Sequence, residues 1–224
     1  MPSTPRPRGS NESAEPVQRR QWFGPLDAVH DSVAGNRRLD VLARGIAKLL
    51  PQGASVLDIG CGDGMLSARI ARHRPDCSFQ GIDVIPGETA MIPVTIFDGE
   101  RIPMPARSFD VAMLVDVLHH TSDPTVLLAE AQRVCRRLII LKDHRRNGFL
   151  AGPTLRIMDW MGNAHHGVNL PYNYWSEKQW RTAFAQLRLR PDVWLTRLGI
   201  HSPLLHPVVG RRLHFLAVLS TEDQ

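Results

Sequence analysis

The chain is short of several things, and each shortage closes off a class of function. Three cysteines occur in 224 residues, Cys61, Cys77 and Cys135, with no Cys-x-x-Cys pair. A disulfide framework and a cysteine zinc site are thereby set aside, and a reducing, cytoplasmic setting is the simple expectation. No apolar run approaches the ~20 residues that a membrane span needs, so none is expected. The Pro-, Ser- and Arg-rich beginning leads into no apolar h-region, which argues against a signal peptide. Aromatics make up only 6% of the chain, and no helix-turn-helix or basic–aromatic array accompanies the net charge of +5. The arginines lie in scattered pairs, such as Arg37 with Arg38 and Arg145 with Arg146. That spacing reads as solvated surface and argues against a nucleic-acid partner.

What is present is concentrated in one stretch, Val56-Leu57-Asp58-Ile59-Gly60-Cys61-Gly62-Asp63-Gly64. A short apolar run enters it, and a helical period with Met65, Leu66, Ala68 and Ile70 leaves it. This is a strand, a tight glycine turn and a helix start, where a ligand can lie directly on the backbone. A dinucleotide is a poor fit, because the G-x-G-x-x-G fingerprint counted from Gly60 needs glycine at Met65. Two carboxylates, Asp58 and Asp63, would repel a pyrophosphate. No Gly-Lys-Ser/Thr follows, so a P-loop is absent. A cationic ligand reverses the sign: S-adenosylmethionine carries a sulfonium and an ammonium that Asp58 would attract.

In Asp58-x-Gly60-x-Gly62-x-Gly64, with its leading Val-Leu, the chain resembles the first motif of class I S-adenosylmethionine-dependent methyltransferases. The match is to the broad group of small bacterial enzymes with a UbiE-like core, also called methyltransferase type 11, and spans roughly residues 37–220. The resemblance implies an α/β fold: a Rossmann-like three-layer sandwich on a mostly parallel seven-stranded sheet with an antiparallel last strand.

The pattern along the chain agrees. Residues 1–20 have the composition of a disordered tail, and residues 21–224 read as one domain. Within it, 21–50 form an N-terminal helical cap: an amphipathic stretch from Trp22 to Val33, then a helix from Asn36 to Leu50 that Pro51 ends. Strands are expected at Ser55–Ile59, Phe79–Val84, Val94–Phe97, Phe109–Val115 and Leu138–Lys142. Helices are expected at Met65–His73 and at Pro124–Cys135, the latter capped by Asp123. This alternation predicts a parallel sheet covered on both faces. Residues 143–175 form a long insert, read as an acceptor lid walled by Trp160, Tyr172, Tyr174 and Trp175. A helix Ser176–Leu187 and strands Val193–Leu198 and Leu213–Leu219 complete the domain.

The donor site then follows by position. The resemblance implies contacts from Asp58, Gly60, Cys61, Gly62 and Gly64 in the turn. It puts Asp83 on the ribose hydroxyls, with Val84 beside it, and Asp98 with Gly99 at the adenine amine. Asp116, ending the fourth strand, is expected beside the methionine part. Asp110 starts a strand and is expected to be structural.

Methyl transfer from a sulfonium is an in-line displacement, and the protein needs a base only if the acceptor must lose a proton. His119 and His120 follow the fourth strand and His144 follows the fifth, both on the ligand rim. These three are the candidate bases, with Asp143 placed to orient a histidine. A metal on His119, Asp143, His144 and His165 lacks a ligand-spacing signature, so no metal is expected. Asn169-Leu170-Pro171-Tyr172 resembles a nucleobase-methylating element, but that element belongs directly after the fourth strand. The expected acceptor is therefore a small molecule, methylated at oxygen or carbon. The alternatives are a nucleic-acid methyltransferase and a non-catalytic donor-binding module.

Overall fold

The computed structural model describes residues 25–85, 89–147, 152, 153, 155, 173–200 and 213–221, with side chains from residue 35. In chain order the elements are α1 (Pro25–Ala47), β1 (Ser55–Ile59), α2 (Met65–His73), β2 (Ser78–Asp83), β3 (Val94–Ile96) and β4 (Phe109–Val115). They continue with α3 (Pro124–Val134), β5 (Cys135–His144), α4 (Glu177–Gln186), β6 (Leu189–Leu195) and β7 (His214–Thr221). The strands form one sheet in the order β3-β2-β1-β4-β5-β7-β6. The first five are parallel, and β7 runs antiparallel to both β5 and β6.

Alternation along the central strands builds the layers. Val111 and Met113 of β4 join one buried cluster with Ile46 of α1 and Ile70 of α2. Ala112 and Leu114, pointing the other way, join a second with Leu128 of α3 and with Trp180 and Phe184 of α4. The period of two in a strand sends neighbours to opposite faces, so a run apolar at every position must be covered on both. Hence α1 and α2 cover one face and α3 and α4 the other: the α/β three-layer sandwich that the motif implied.

Several bounds differ from the sequence expectation. One helix replaces the two-part N-terminal cap, running through Gly35 and ending at Ala47, short of Pro51. Its end is held from outside: the Arg74 guanidinium donates to the carbonyls of Ala47, Leu50 and Pro51 at 2.9, 2.6 and 2.7 Å. Strand β5 extends to His144, because Asp143 and His144 pair with Phe215 and His214 of β7. Asp143 and His144 thus belong to the sheet and not to the insert. Most of that insert, including Trp160, His165, His166, Asn169 and Tyr172, lies outside the described residues, as does the 1–20 tail. A 3-10 turn at Leu118–His120, unforeseen in the sequence, follows β4.

Strand order places the site. The chain leaves β1 toward β2 on one side and later returns to β4 on the other, so a crevice opens at the carboxyl ends of β1 and β4. The glycine turn, Asp116 and the histidine pair all stand at those ends.

Candidate functional site

The turn after β1 is built on left-handed backbone. Gly60, Gly62 and Gly64 have φ of 70°, 58° and 74°, a region where a side chain is strained. Their surroundings differ. A Cβ on Gly60 would lie 2.5 Å from Val117 and one on Gly64 2.5 Å from Ile92, whereas a Cβ on Gly62 would meet nothing within 4 Å. The outer glycines pack the turn against the protein, and the middle one faces open space.

Asp83 ties this turn to β2. Its carboxylate accepts from the Gly62 N–H at 2.7 Å and from the Ile85 N–H at 3.1 Å. Val84, Ile85 and Ile96 beside it are about half exposed although apolar. A Cβ on Gly99 (φ 86°) would come to 3.1 Å from Val84, so that glycine lets the ends of β2 and β3 close up. The Asp98 carboxylate caps its own turn, accepting from the N–H groups of Glu100 and Arg101, and these hold it below its ordinary range.

Asp58 sits beneath the turn. It is buried and accepts from the Ser67 hydroxyl of α2 at 2.7 Å. Burial pushes its carboxyl up to about 7; the Ser67 bond opposes this and Asp83 adds to it. The Cys61 thiol is pushed up to about 12 by burial, then by Asp58 and Asp83, so it is no nucleophile. Asp63 turns toward α2 and accepts from the Met65 N–H at 3.0 Å. Asp110 is structural, as expected, accepting from the Ser55 N–H and hydroxyl at 2.9 and 2.7 Å.

The second half of the site is a buried ionic cluster at the ends of β4 and β5. Asp116 has φ 58°, unusual outside glycine, and pairs with both Arg38 of α1 and Lys142 of β5. Burial alone would raise its carboxyl, but Lys142 and Arg38 override this and hold it well below the usual range. Lys142 is fully buried, which draws it down to about 8 against the pull of Asp116. His119 Nδ1 lies 2.7 Å from Asp143 Oδ1 and 3.3 Å from His144 Nδ1. Burial would raise Asp143; the His119 partner reverses that and leaves it below the ordinary range. The other Asp143 oxygen accepts from the Leu118 N–H at 3.0 Å. His144 is lowered chiefly by burial. Tyr174 stacks on the His119 ring at 5.9 Å, and the His120 ring lies 4.0 Å from it.

The fold therefore gathers the sequence candidates into two adjoining groups. Gly60 links them, since the Val117 on which it packs is two residues before His119. Arg38, Lys142 and His214 were not foreseen. For Lys142 a signal existed, a charged residue closing an otherwise apolar central strand; Arg38 passed for surface. Asp116, His119, Asp143 and His144 each place one ligand atom within 4.8 Å of the others, a grouping that the spacing along the chain did not show.

A family model described as a methyltransferase domain matches residues 34–190. The chain belongs to the methyltransferase domain family. Among curated relatives of this methyltransferase is the ubiquinone biosynthesis O-methyltransferase of Azorhizobium caulinodans, 32% identical over 50% of the chain and 51% of that protein. Another is the tRNA (carboxymethyluridine(34)-5-O)-methyltransferase of Schizosaccharomyces pombe, 32% identical over 41% of the chain and 40% of that protein. The chain spans about half or less of the length of these relatives. In fold it is similar to a chain of the solved complex between the Haloferax volcanii Trm112 methyltransferase activator and a methyltransferase, with a TM-score of 0.63 at 15% identity over 90% of the chain and 99% of that one. S-adenosylmethionine is the donor that the family and fold imply. The site fits it: open space over Gly62, a carboxylate at the end of β2 and an apolar floor beside that carboxylate.

Proposed function

We propose that the methyltransferase moves the methyl group of S-adenosylmethionine to a hydroxyl oxygen of a small-molecule acceptor. The observation that carries this reading is the His119–Asp143–His144 cluster, set at the strand ends beside the glycine turn. A donor alone needs no such cluster; an acceptor that must lose a proton does. When bound, S-adenosylmethionine supplies an electrophilic methyl on a sulfonium.

The residues divide the work. Gly60, Cys61, Gly62 and Gly64 shape the cradle, with Asp58 fixing its base through Ser67. Asp83 takes the ribose hydroxyls and Val84 flanks the base, while Asp98 and Gly99 close the adenine end. Asp116 receives the ammonium. His119, His120 and His144 surround the acceptor proton, and Asp143 fixes His119 in one orientation, as a carboxylate does for a catalytic imidazole.

Oxygen is preferred over carbon as the acceptor atom because a buried carboxylate–imidazole pair suits a phenol, which still holds its proton near neutral pH and can give it to an imidazole. The relatives' names include several O-methyltransferases. One of them names a tRNA acceptor. Three arginines near this site, however, are paired with carboxylates of the chain itself: Arg38 with Asp116, Arg145 with Glu177 and Arg69 with Asp40. Charges neutralised at home release few counterions from a phosphate backbone.

The test is transfer of labelled methyl from the donor to a panel of phenolic small molecules, with bulk tRNA alongside. The small acceptors should be labelled, and His119→Ala and His120→Ala should lower turnover about 100-fold with donor affinity kept. Label in tRNA alone, or wild-type turnover in both variants, would overturn the reading.

A further inference from the structure

The buried cluster gathers ligand atoms of His119, Asp143, His144 and Asp116 within 4.8 Å of one another, a spacing that one metal ion can span. His119 Nδ1, His144 Nδ1 and Asp143 Oδ1 are separated by 3.3, 3.6 and 2.7 Å. Asp116 Oδ1 lies 3.7 Å from His144 Nδ1. A tetrahedral zinc ion with bonds near ~2.1 Å sets its ligand atoms ~3.4 Å apart. Three of the four separations lie close to that edge. The shortest, 2.7 Å, is a hydrogen-bond length and would open by ~0.7 Å to reach it.

We propose that His119, His144 and Asp143 bind one divalent transition-metal ion, with Asp116 as an exchangeable fourth ligand.

Two imidazoles with a carboxylate suit zinc, cobalt or iron(II) and disfavour magnesium and calcium, which prefer all-oxygen shells. The ligands are supported from behind. Asp143 is oriented by the Leu118 and His144 N–H groups at 3.0 and 2.6 Å, the kind of outer hydrogen bonding that fixes ligating carboxylates. Strand β5 and the 3-10 turn after β4 supply the three ligands, and Asp116 follows directly on β4, so the pairing of β4 with β5 holds the spacing.

Asp116 differs from the other three. Both its oxygens are already engaged, Oδ2 by Arg38 and Oδ1 by Lys142. It is therefore the ligand that yields, and three protein ligands plus one position open to exchange is the pattern of a catalytic zinc. An acceptor oxygen in that position would be polarised beside the donor methyl. With the ion bound, His119 and His144 are ligands and His120 is left as the proton acceptor; this role of the ion rests on the methyltransferase reading, and its binding does not. The competing occupant is a single proton shared among the three atoms.

The test uses the full chain, stripped with chelator and titrated with zinc alone in competition with a chromophoric chelator, then examined by X-ray absorption at the zinc edge. One ion per chain is expected, with nitrogen and oxygen neighbours at ~2.0–2.1 Å and no sulfur at ~2.3 Å. His144→Ala and Asp143→Asn should each weaken binding about 100-fold or more, beyond what loss of an outer-shell partner costs. His73→Ala, on the exposed end of α2, should bind as the wild type does. Less than one ion per two chains, a sulfur shell, or wild-type affinity in both variants would overturn the proposal. Should the variants fail to fold, stoichiometry and the absorption shell of the wild type decide it. Calorimetry of donor binding on the metal-free chain keeps the two claims apart: a chain that binds donor but takes up no zinc removes this site alone, and a chain that takes up zinc but binds no donor removes the donor reading alone.

Discussion

Three glycine-to-alanine substitutions separate the fold's need for glycine from the ligand's. Gly53, Gly60 and Gly62 have φ of 64°, 70° and 58°, so alanine at any of them meets the same left-handed penalty of roughly 1–2 kcal/mol. A Cβ at Gly53 or Gly62 meets no atom within 4 Å, and their stability cost should stop there. A Cβ at Gly60 would sit 2.5 and 2.9 Å from the two Val117 methyl carbons, and Val117 packs against the buried cluster under α3 and α4. Moving it adds an overpacking cost of roughly 1–3 kcal/mol, for a total of about 2–5 kcal/mol. Donor affinity should follow another order. Gly53 lies at the opposite end of β1 from the site, so Gly53→Ala should bind S-adenosylmethionine normally. Gly62→Ala, equally stable, puts a methyl group into the open cradle and should lose at least about tenfold, or about 1.4 kcal/mol. Thermal denaturation and calorimetric donor titration of the three variants measure both scales. Equal donor affinity in Gly62→Ala and Gly53→Ala would refute the claim that the ligand lies on Gly62, whatever the stabilities.

Two further predictions rest on buried or paired carboxylates. Asp58 is an acid raised from an ordinary 3.8 to about 7, so the folded state keeps a proton that the unfolded state releases, and its contribution to stability falls as pH rises from about 4 to about 7. Asp58→Asn lacks that titration and should gain roughly 2–3 kcal/mol relative to the wild type between pH 5 and pH 8, read from denaturant midpoints; a constant difference across that range would contradict it. Asp110→Ala removes both bonds to Ser55 and should cost about 1–3 kcal/mol of stability with donor affinity unchanged, whereas weakened donor binding would show that Asp110 is more than structural.

The glycine turn and the strand-end carboxylates were legible in the sequence because they are local. Asp58 through Gly64 are contiguous, and Asp83 and Asp98 each end a strand whose apolar run could be counted. The strand pattern of the parallel core was legible for the same reason, with β1, α2 and β4 read to the residue. The buried ionic cluster depends on distant pairings. Lys142 meets Asp116 only because β4 and β5 are neighbours in register, and Arg38 reaches Asp116 from a helix 78 residues away in sequence. Asp143 and His144 read as the start of a loop because the strand that extends them, β7, arrives about 70 residues later. The end of α1 differs from the expectation because its last carbonyl, that of Ala47, and the Leu50 carbonyl after it are taken by Arg74 from the end of α2, a partner distant in sequence.

The account stands most directly on one titration, of S-adenosylmethionine into the wild-type chain and into Asp83→Ala. Asp83 holds the Gly62 N–H at 2.7 Å and offers the carboxylate for the ribose hydroxyls, so its loss takes away both a ligand contact and the tether of the cradle. The account predicts one donor per chain for the wild type and at least about tenfold weaker binding for the variant, the ~1.4 kcal/mol of a lost charged hydrogen bond. No binding by the wild type, or the same affinity in both chains, would contradict it.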